Sequence, residues 1–226
     1  MQAINNYLVK CFCEVFKPKG KILEVGSFVV PGQEKLMDIR RYFPGCTYIG
    51  CDMRPGVGVD LIENAERFTF KDETFDCVIC LDTFEHIENI FKASKEIYRI
   101  LKPKGILVLS SVMNCPVHDF PYDYWRFTPK AFEFLTQKFA MQFIGYYGVS
   151  EFPRNIYAVA IKNTDNFNKR ILTDKLNNFK HMFEKYKENK IKDKVQFLFS
   201  SIKYFLLPKK KSFSIVKDKY VINRKG

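Results

Sequence analysis

The residue types best suited to chemistry in this sequence are two carboxylates at strand ends and one aromatic, polar stretch. Glu24 sits within the apolar run Ile22-Leu23-Glu24-Val25-Gly26, and Asp52 closes the run Thr47 to Cys51. A carboxylate in such a place is costly unless it meets a donor. For Glu24 the donor is a backbone N–H of the next loop or an amine on a ligand. An acidic side chain placed like Asp52 can hold both hydroxyls of a ribose. Either carboxylate alone is as well explained by capping; on adjacent strand ends the two together carry more weight as a ligand site. The stretch HDFPYDYWRFTP, residues 118–129, brings His118, Asp119, Tyr122, Asp123, Tyr124, Arg126 and the single tryptophan, Trp125. His86 follows another strand-like run, Phe75 to Leu81.

The elements that must position these groups alternate in type. Apolar residues Ile4, Leu8, Val9, Phe12 and Val15 predict a helix over residues 2–16. Further helices are predicted at 33–43, 88–101 and 129–139, the last with Thr128-Pro129 as cap and first turn. Strands are predicted at 22–26, 47–51, 75–81, 106–112, 141–148 and 156–162, the last two antiparallel. Such alternation means a parallel sheet covered on both faces. Ligands then bind outside the carboxyl ends of the strands, which selects Glu24 to Ser27, Asp52-Met53, Leu81 to His86 and the segment after Val112.

Charge divides the chain. Residues 1–163 carry a net +1 and residues 164–226 carry +11 of the total +12. Apolar positions Phe167, Ile171, Leu172, Leu176, Phe179, Phe183 and Tyr186 predict a helix in the basic part, followed by an apolar run from 195 to 207 and Lys209-Lys210-Lys211. The expected organisation is therefore a neutral body, 1–163, and a basic, mainly helical extension, 164–226. The seven cysteines are expected as free thiols. Cys77 and Cys80 have metal-like spacing, but on a strand they face opposite ways, so no stable metal is expected. No run is long enough to span a bilayer, and no basic n-region precedes an apolar core at the start. The expected location is the cytoplasm, including its membrane face.

The segments ILEVGS, YIGCDM, ETFDCVICLDTFEHI and RILKPKGILVLSS fall in order with the right spacings. In this they resemble the successive motifs of class I S-adenosylmethionine-dependent methyltransferases. The resemblance covers roughly residues 20–162. It implies a Rossmann-like, seven-stranded, mostly parallel α/β sheet with helices on both faces, and S-adenosylmethionine as cofactor. It also implies roles. Glu24 is similar to the acid near the methionine amino group, and Gly26 to the glycine that lets the backbone approach. Asp52 is similar to the ribose acid, with Met53 beside the adenine, and Asn64-Ala65-Glu66 borders that ring. Leu81 and the Glu85-His86 pair match the segment lining the methionine end. The family's loop is close to GxGxG, whereas here Ser27 to Pro31 intervene before Gly32. A cofactor without a pyrophosphate needs no phosphate cradle, so one glycine, with the Ser27 hydroxyl as donor, is expected to suffice.

Methyl transfer needs alignment, and a base when the nucleophile is a hydroxyl. The stretch 118–129 is similar to a motif of a methyltransferase subgroup found among glycan and natural-product gene products. His118 is the candidate base with Asp119 as its orienter, and His86 is the second candidate. Asp123 is expected to hold a substrate hydroxyl or amine, and Arg126 a phosphate or carboxylate. Tyr122, Tyr124 and Trp125 are expected to wall the site; the competing reading has Tyr124, Trp125 and Phe127 packing the lid, with Asp119 and Arg126 pinning it. The expected substrate is a small polar molecule: a sugar, nucleotide-sugar or glycan precursor. Two alternatives stay open. The basic extension could grip RNA, or it could dock on an anionic membrane or a partner while the fold itself is degenerate.

Overall fold

The computed structural model describes residues 3–119, 121–149, 151–162 and 169–189. Seven strands run through them: β1 (Lys21–Val25), β2 (Thr47–Asp52), β3 (Leu61–Ile62), β4 (Phe75–Leu81), β5 (Leu101–Val112), β6 (Met141–Val149) and β7 (Phe152–Ile161). They form one sheet in the order β3-β2-β1-β4-β5-β7-β6. All neighbours are parallel except β7, which is antiparallel to both β5 and β6. This is the expected Rossmann-like sheet.

Alternation along each strand assigns the faces. Leu23, Val25, Val78, Cys80, Leu107 and Leu109 pack with the helices α3 (Ile90–Ile100) and α4 (Pro129–Leu135) through Ala93, Ile97, Phe132 and Leu135. The helices α1 (Ala3–Phe16) and α5 (Lys169–Asn189) pair by Phe16 against Phe179 and cover the other face, where Tyr157 meets Phe183 at 4.7 Å. Leu172, Leu176, Phe179 and Phe183 are the buried face of α5, while Ile171 stays exposed. Cys77 and Cys80 fall on opposite faces, as the strand period requires, and all seven cysteines are free. The apolar run 195–207 and the lysine cluster lie outside the described residues. Among the described residues no helix is long and apolar enough to cross a membrane.

Several boundaries differ from the sequence expectation for local reasons. The helix predicted over 33–43 is instead α2 (Glu34–Met37) and a short 3-10 turn, Arg40–Tyr42. Asp38 turns extended between them, which lets Ile39 bury completely and Arg40 reach the Asp60 carboxylate at 2.5 Å. The helix α4 stops at Leu135 rather than 139, where the Thr136 hydroxyl bonds back to the Phe132 carbonyl. The two-residue β3 has both side chains exposed and so leaves no hydrophobic pattern to read.

Candidate active site

The strand order reverses between β1 and β4, and in sheets of this kind ligands bind outside the carboxyl ends of the strands at that switch point. Gly26 leaves β1 with φ +80, and a Cβ there would collide with the Thr83 side chain at the end of β4. The N–H groups of Gly26 and Ser27 both donate to the Cys51 carbonyl, at 2.8 and 3.1 Å, which ties this loop to β2. Ser27 is buried, and its Oγ has no hydrogen-bond partner. Beyond it, the Val29 N–H donates to the Val57 carbonyl and the Arg54 guanidinium stacks on the Phe28 ring. The non-glycine residues of the loop therefore lie against the 54–58 turn.

Asp52 ends β2 with its side chain largely buried. Its Oδ1 accepts from the Arg54 N–H at 2.9 Å, while Oδ2 has only a long 3.4 Å contact from the Phe28 N–H. Met53 beside it is 67% exposed, an unusual state for a large apolar side chain. Ala65 is buried nearby in sequence to Glu66, whose Oε1 accepts from the Asn89 N–H at the start of α3. Glu66 therefore has a structural bond of its own. Glu24 is partly buried, and its Oε2 accepts from the Tyr48 hydroxyl at 2.8 Å. Burial pushes its carboxyl up to about 8, against the opposing effect of the Tyr48 bond. The sequence reading missed Tyr48 because its partner lies on another strand.

The other side of the switch point is made by the end of β4 and the lid. After the buried Leu81, Asp82 takes the left-handed region, φ +45, and accepts from the Asn155 amide at 3.1 Å. A 3-10 turn, Phe84–His86, then carries Glu85 into the interior. The Ser111 hydroxyl donates to Glu85 Oε2 at 2.5 Å, and Oε1 has no partner. Burial, followed by the nearby Asp82 charge, raises the Glu85 carboxyl to about 8.

The lid is stitched to this turn through backbone. Tyr124 N–H donates to the Glu85 carbonyl at 2.8 Å, the Trp125 indole to the Ile87 carbonyl at 2.9 Å, and Phe127 N–H to the Val112 carbonyl at 2.9 Å. Phe127 is buried in the core, whereas Tyr122, Tyr124 and Trp125 remain substantially exposed. The fastening brings His86 and His118 together, with ring centroids 4.9 Å apart and planes at 84°.

Three expected roles change. The carboxylate beside His118 is Asp123, not Asp119: Asp123 Oδ2 accepts from the His118 N–H at 2.7 Å and lies 3.3 Å from its Nδ1. Asp119 is at φ +50 and faces Arg54 at 3.5 Å. Asp123 and Arg126, expected to receive substrate, hold each other in a two-point pair at 2.6 and 2.8 Å, with the Asp123 side chain only 1% exposed. Burial acts to raise the Asp123 carboxyl, but Arg126 and the His118 N–H outweigh it and hold it below the usual range. Arg126 also bonds the carbonyls of Cys115 and Pro116, so both residues fix the lid.

A family described as a methyltransferase domain matches residues 36–109. A solved S-adenosylmethionine-dependent methyltransferase from Archaeoglobus fulgidus superimposes with a TM-score of 0.53 at 16% identity, covering 70% of this chain and 94% of that one. Residues 36–109 thus match a methyltransferase domain, and the fold is shared with solved S-adenosylmethionine-dependent methyltransferases. The CurJ carbon methyltransferase shares the fold with a TM-score of 0.53 at 13% identity, over 72% of this chain and 56% of that one. Among curated proteins, the ubiquinone/menaquinone biosynthesis C-methyltransferase UbiE of Hydrogenovibrio crunogenus is 41% identical over 68 residues, 29% of this chain and 27% of the relative. The chain thus matches only about a quarter of that relative's length.

Proposed function

We propose that this methyltransferase-fold protein transfers a methyl group from S-adenosylmethionine to a hydroxyl on a small polar acceptor, of the sugar, nucleotide-sugar or glycan-precursor class. The cofactor fits the residues present. Ser27 offers a buried, partnerless Oγ, Asp52 an Oδ2 with room for ribose hydroxyls, and Met53 an exposed apolar flank. Glu24, once ionised, suits an ammonium group, and the Gly26 turn keeps the backbone low beside Thr83. When bound, the cofactor supplies a methyl group activated by its positive sulfonium.

The observation that carries the acceptor reading is the meeting of His86 and His118 beneath a polar lid. Each ring has its Nδ1 on a backbone carbonyl, Tyr122 for His86 at 2.7 Å and Pro116 for His118 at 3.0 Å. A carbonyl only accepts, so Nδ1 carries the hydrogen and Nε2 is left to take the proton of an acceptor hydroxyl. Tyr122, Tyr124 and Trp125 then offer the exposed aromatic surface against which a sugar ring packs.

A second reading is C-methylation of a quinone-type ring, and the match to the ubiquinone/menaquinone enzyme favours it. Incubation of the full chain with methyl-labelled S-adenosylmethionine and two acceptor sets, nucleotide-activated sugars and demethylated quinols, separates the two. The polar reading expects label on a sugar hydroxyl. Label confined to a quinol ring carbon would overturn it.

A further inference from the structure

We propose that Glu85, His86 and His118 form a binding site for a divalent transition-metal ion on the acceptor side of the switch point. One potential ligand atom from each residue lies within 4.8 Å of those of the other two. Bonds from such an ion to imidazole nitrogen and carboxylate oxygen are about 2.0–2.2 Å, so side-chain adjustments of about 1 Å would close the set.

Two features mark these groups as ligands. The first is Glu85 itself. The side chain is fully buried, yet Oε1 meets no donor, while the Ser111 hydroxyl holds Oε2 and fixes the carboxylate plane. A buried carboxylate oxygen without a donor is costly unless a cation faces it. The second is the orientation of both rings. Each Nδ1–H is spent on a backbone carbonyl, and for His118 the Asp123 carboxylate also stands behind the ring at 3.3 Å. Metal-binding histidines are oriented in this way, the outer hydrogen bond fixing the tautomer and leaving the other nitrogen for the ion. The two rings are nearly perpendicular, with centroids 4.9 Å apart.

Two histidines and a glutamate are also a chemically sensible set. They hold catalytic zinc in other folds and leave further positions open. Here the open side is available, because the His118 side chain is 41% exposed and His86 half-buried. The expectation that no metal binds rested on Cys77 and Cys80, and that cysteine argument does not touch this site. On the methyl-transfer reading above, a bound ion would replace the imidazoles as the activating group: an open position would hold the acceptor's hydroxyl oxygen and lower its pKa, with the proton lost to solvent. The binding claim itself stands without that reading.

The test uses the full chain, stripped with chelator, titrated with Zn2+ by calorimetry and with Co2+ by visible absorption. S-adenosylhomocysteine binding is measured on the same samples. The expected result is one saturable equivalent per chain, with no thiolate charge-transfer band. His86→Ala and His118→Ala should each weaken binding by at least about ten-fold, whereas Cys115→Ser leaves it unchanged. Both histidine variants should keep the wild-type midpoint in urea unfolding, which shows that they fold, and His118→Ala should also keep S-adenosylhomocysteine affinity. Absence of saturable binding, survival of binding in both histidine variants, or a thiolate band lost in Cys115→Ser would each overturn the metal site. Failure of S-adenosylhomocysteine to bind the wild type would instead count against the methyltransferase reading alone.

Discussion

At the ends of β1 and β2 the groups suited to the cofactor are close along the chain. Gly26 and Ser27 come just after Glu24, and Met53 follows Asp52. Across from them, His86 and His118 are far apart in sequence and meet where Tyr124 and Trp125 hydrogen-bond to the Glu85 and Ile87 carbonyls and His86 to the Tyr122 carbonyl. On the proposed reading the cofactor side is thus a property of strand ends, and the acceptor side a property of how one long loop is fastened. The two halves should therefore fail separately when altered.

The largest effect is expected from His118→Ala. Loss of this ring should lower the methyl-transfer rate by about 10²–10⁴-fold while S-adenosylhomocysteine affinity is unchanged, in steady-state kinetics paired with calorimetry. A parallel loss of cofactor affinity would mean the halves are not separable. Next is Gly26→Ala, which combines a left-handed backbone with a collision on Thr83. It should destabilise the fold by about 2–4 kcal/mol in urea unfolding, and Thr83→Ala should recover part of that loss.

Asp123→Asn sharpens the comparison at the lid. Breaking the pair with Arg126 should cost about 1–3 kcal/mol, expose residues 113–128 to protease and slow transfer, with S-adenosylhomocysteine affinity retained. The smallest effect concerns Glu24. Its folded-state carboxyl lies at about 8, above its value in the unfolded chain, so between the two the folded state holds more protons. Stability should fall as pH rises through that window and level off above it, and Glu24→Gln should remove this residue's share of the slope. An ammonium on the ligand reverses the preference. Cofactor binding at neutral pH should then release about one proton from the wild type and none from Glu24→Gln, measured by calorimetry in buffers of differing ionisation enthalpy.

The same contrast explains what the sequence could reveal. The parallel α/β sheet and most of its covering helices were legible because buried strands and amphipathic helices write their period into the chain, whereas the exposed two-residue β3 and the strand order were not. Gly26 and Asp52 were legible as residues at strand ends. What stayed hidden depends on contacts between distant segments. Tyr48 on Glu24, Glu66 on Asn89 and Asp123 rather than Asp119 on His118 are side-chain choices that no local spacing encodes. The closest sequence signal to the histidine pair was the polar character of HDFPYDYWRFTP, which located the lid without its fastening points.

The central claim is that the β1–β2 ends hold S-adenosylmethionine through Asp52 and the variant loop. Calorimetric titration of the full chain with S-adenosylhomocysteine, beside Asp52→Ala, tests it most directly. The account predicts saturable, one-to-one binding by the wild type and its loss in the variant. Absence of binding by the wild type, or equal affinity in Asp52→Ala, would contradict it.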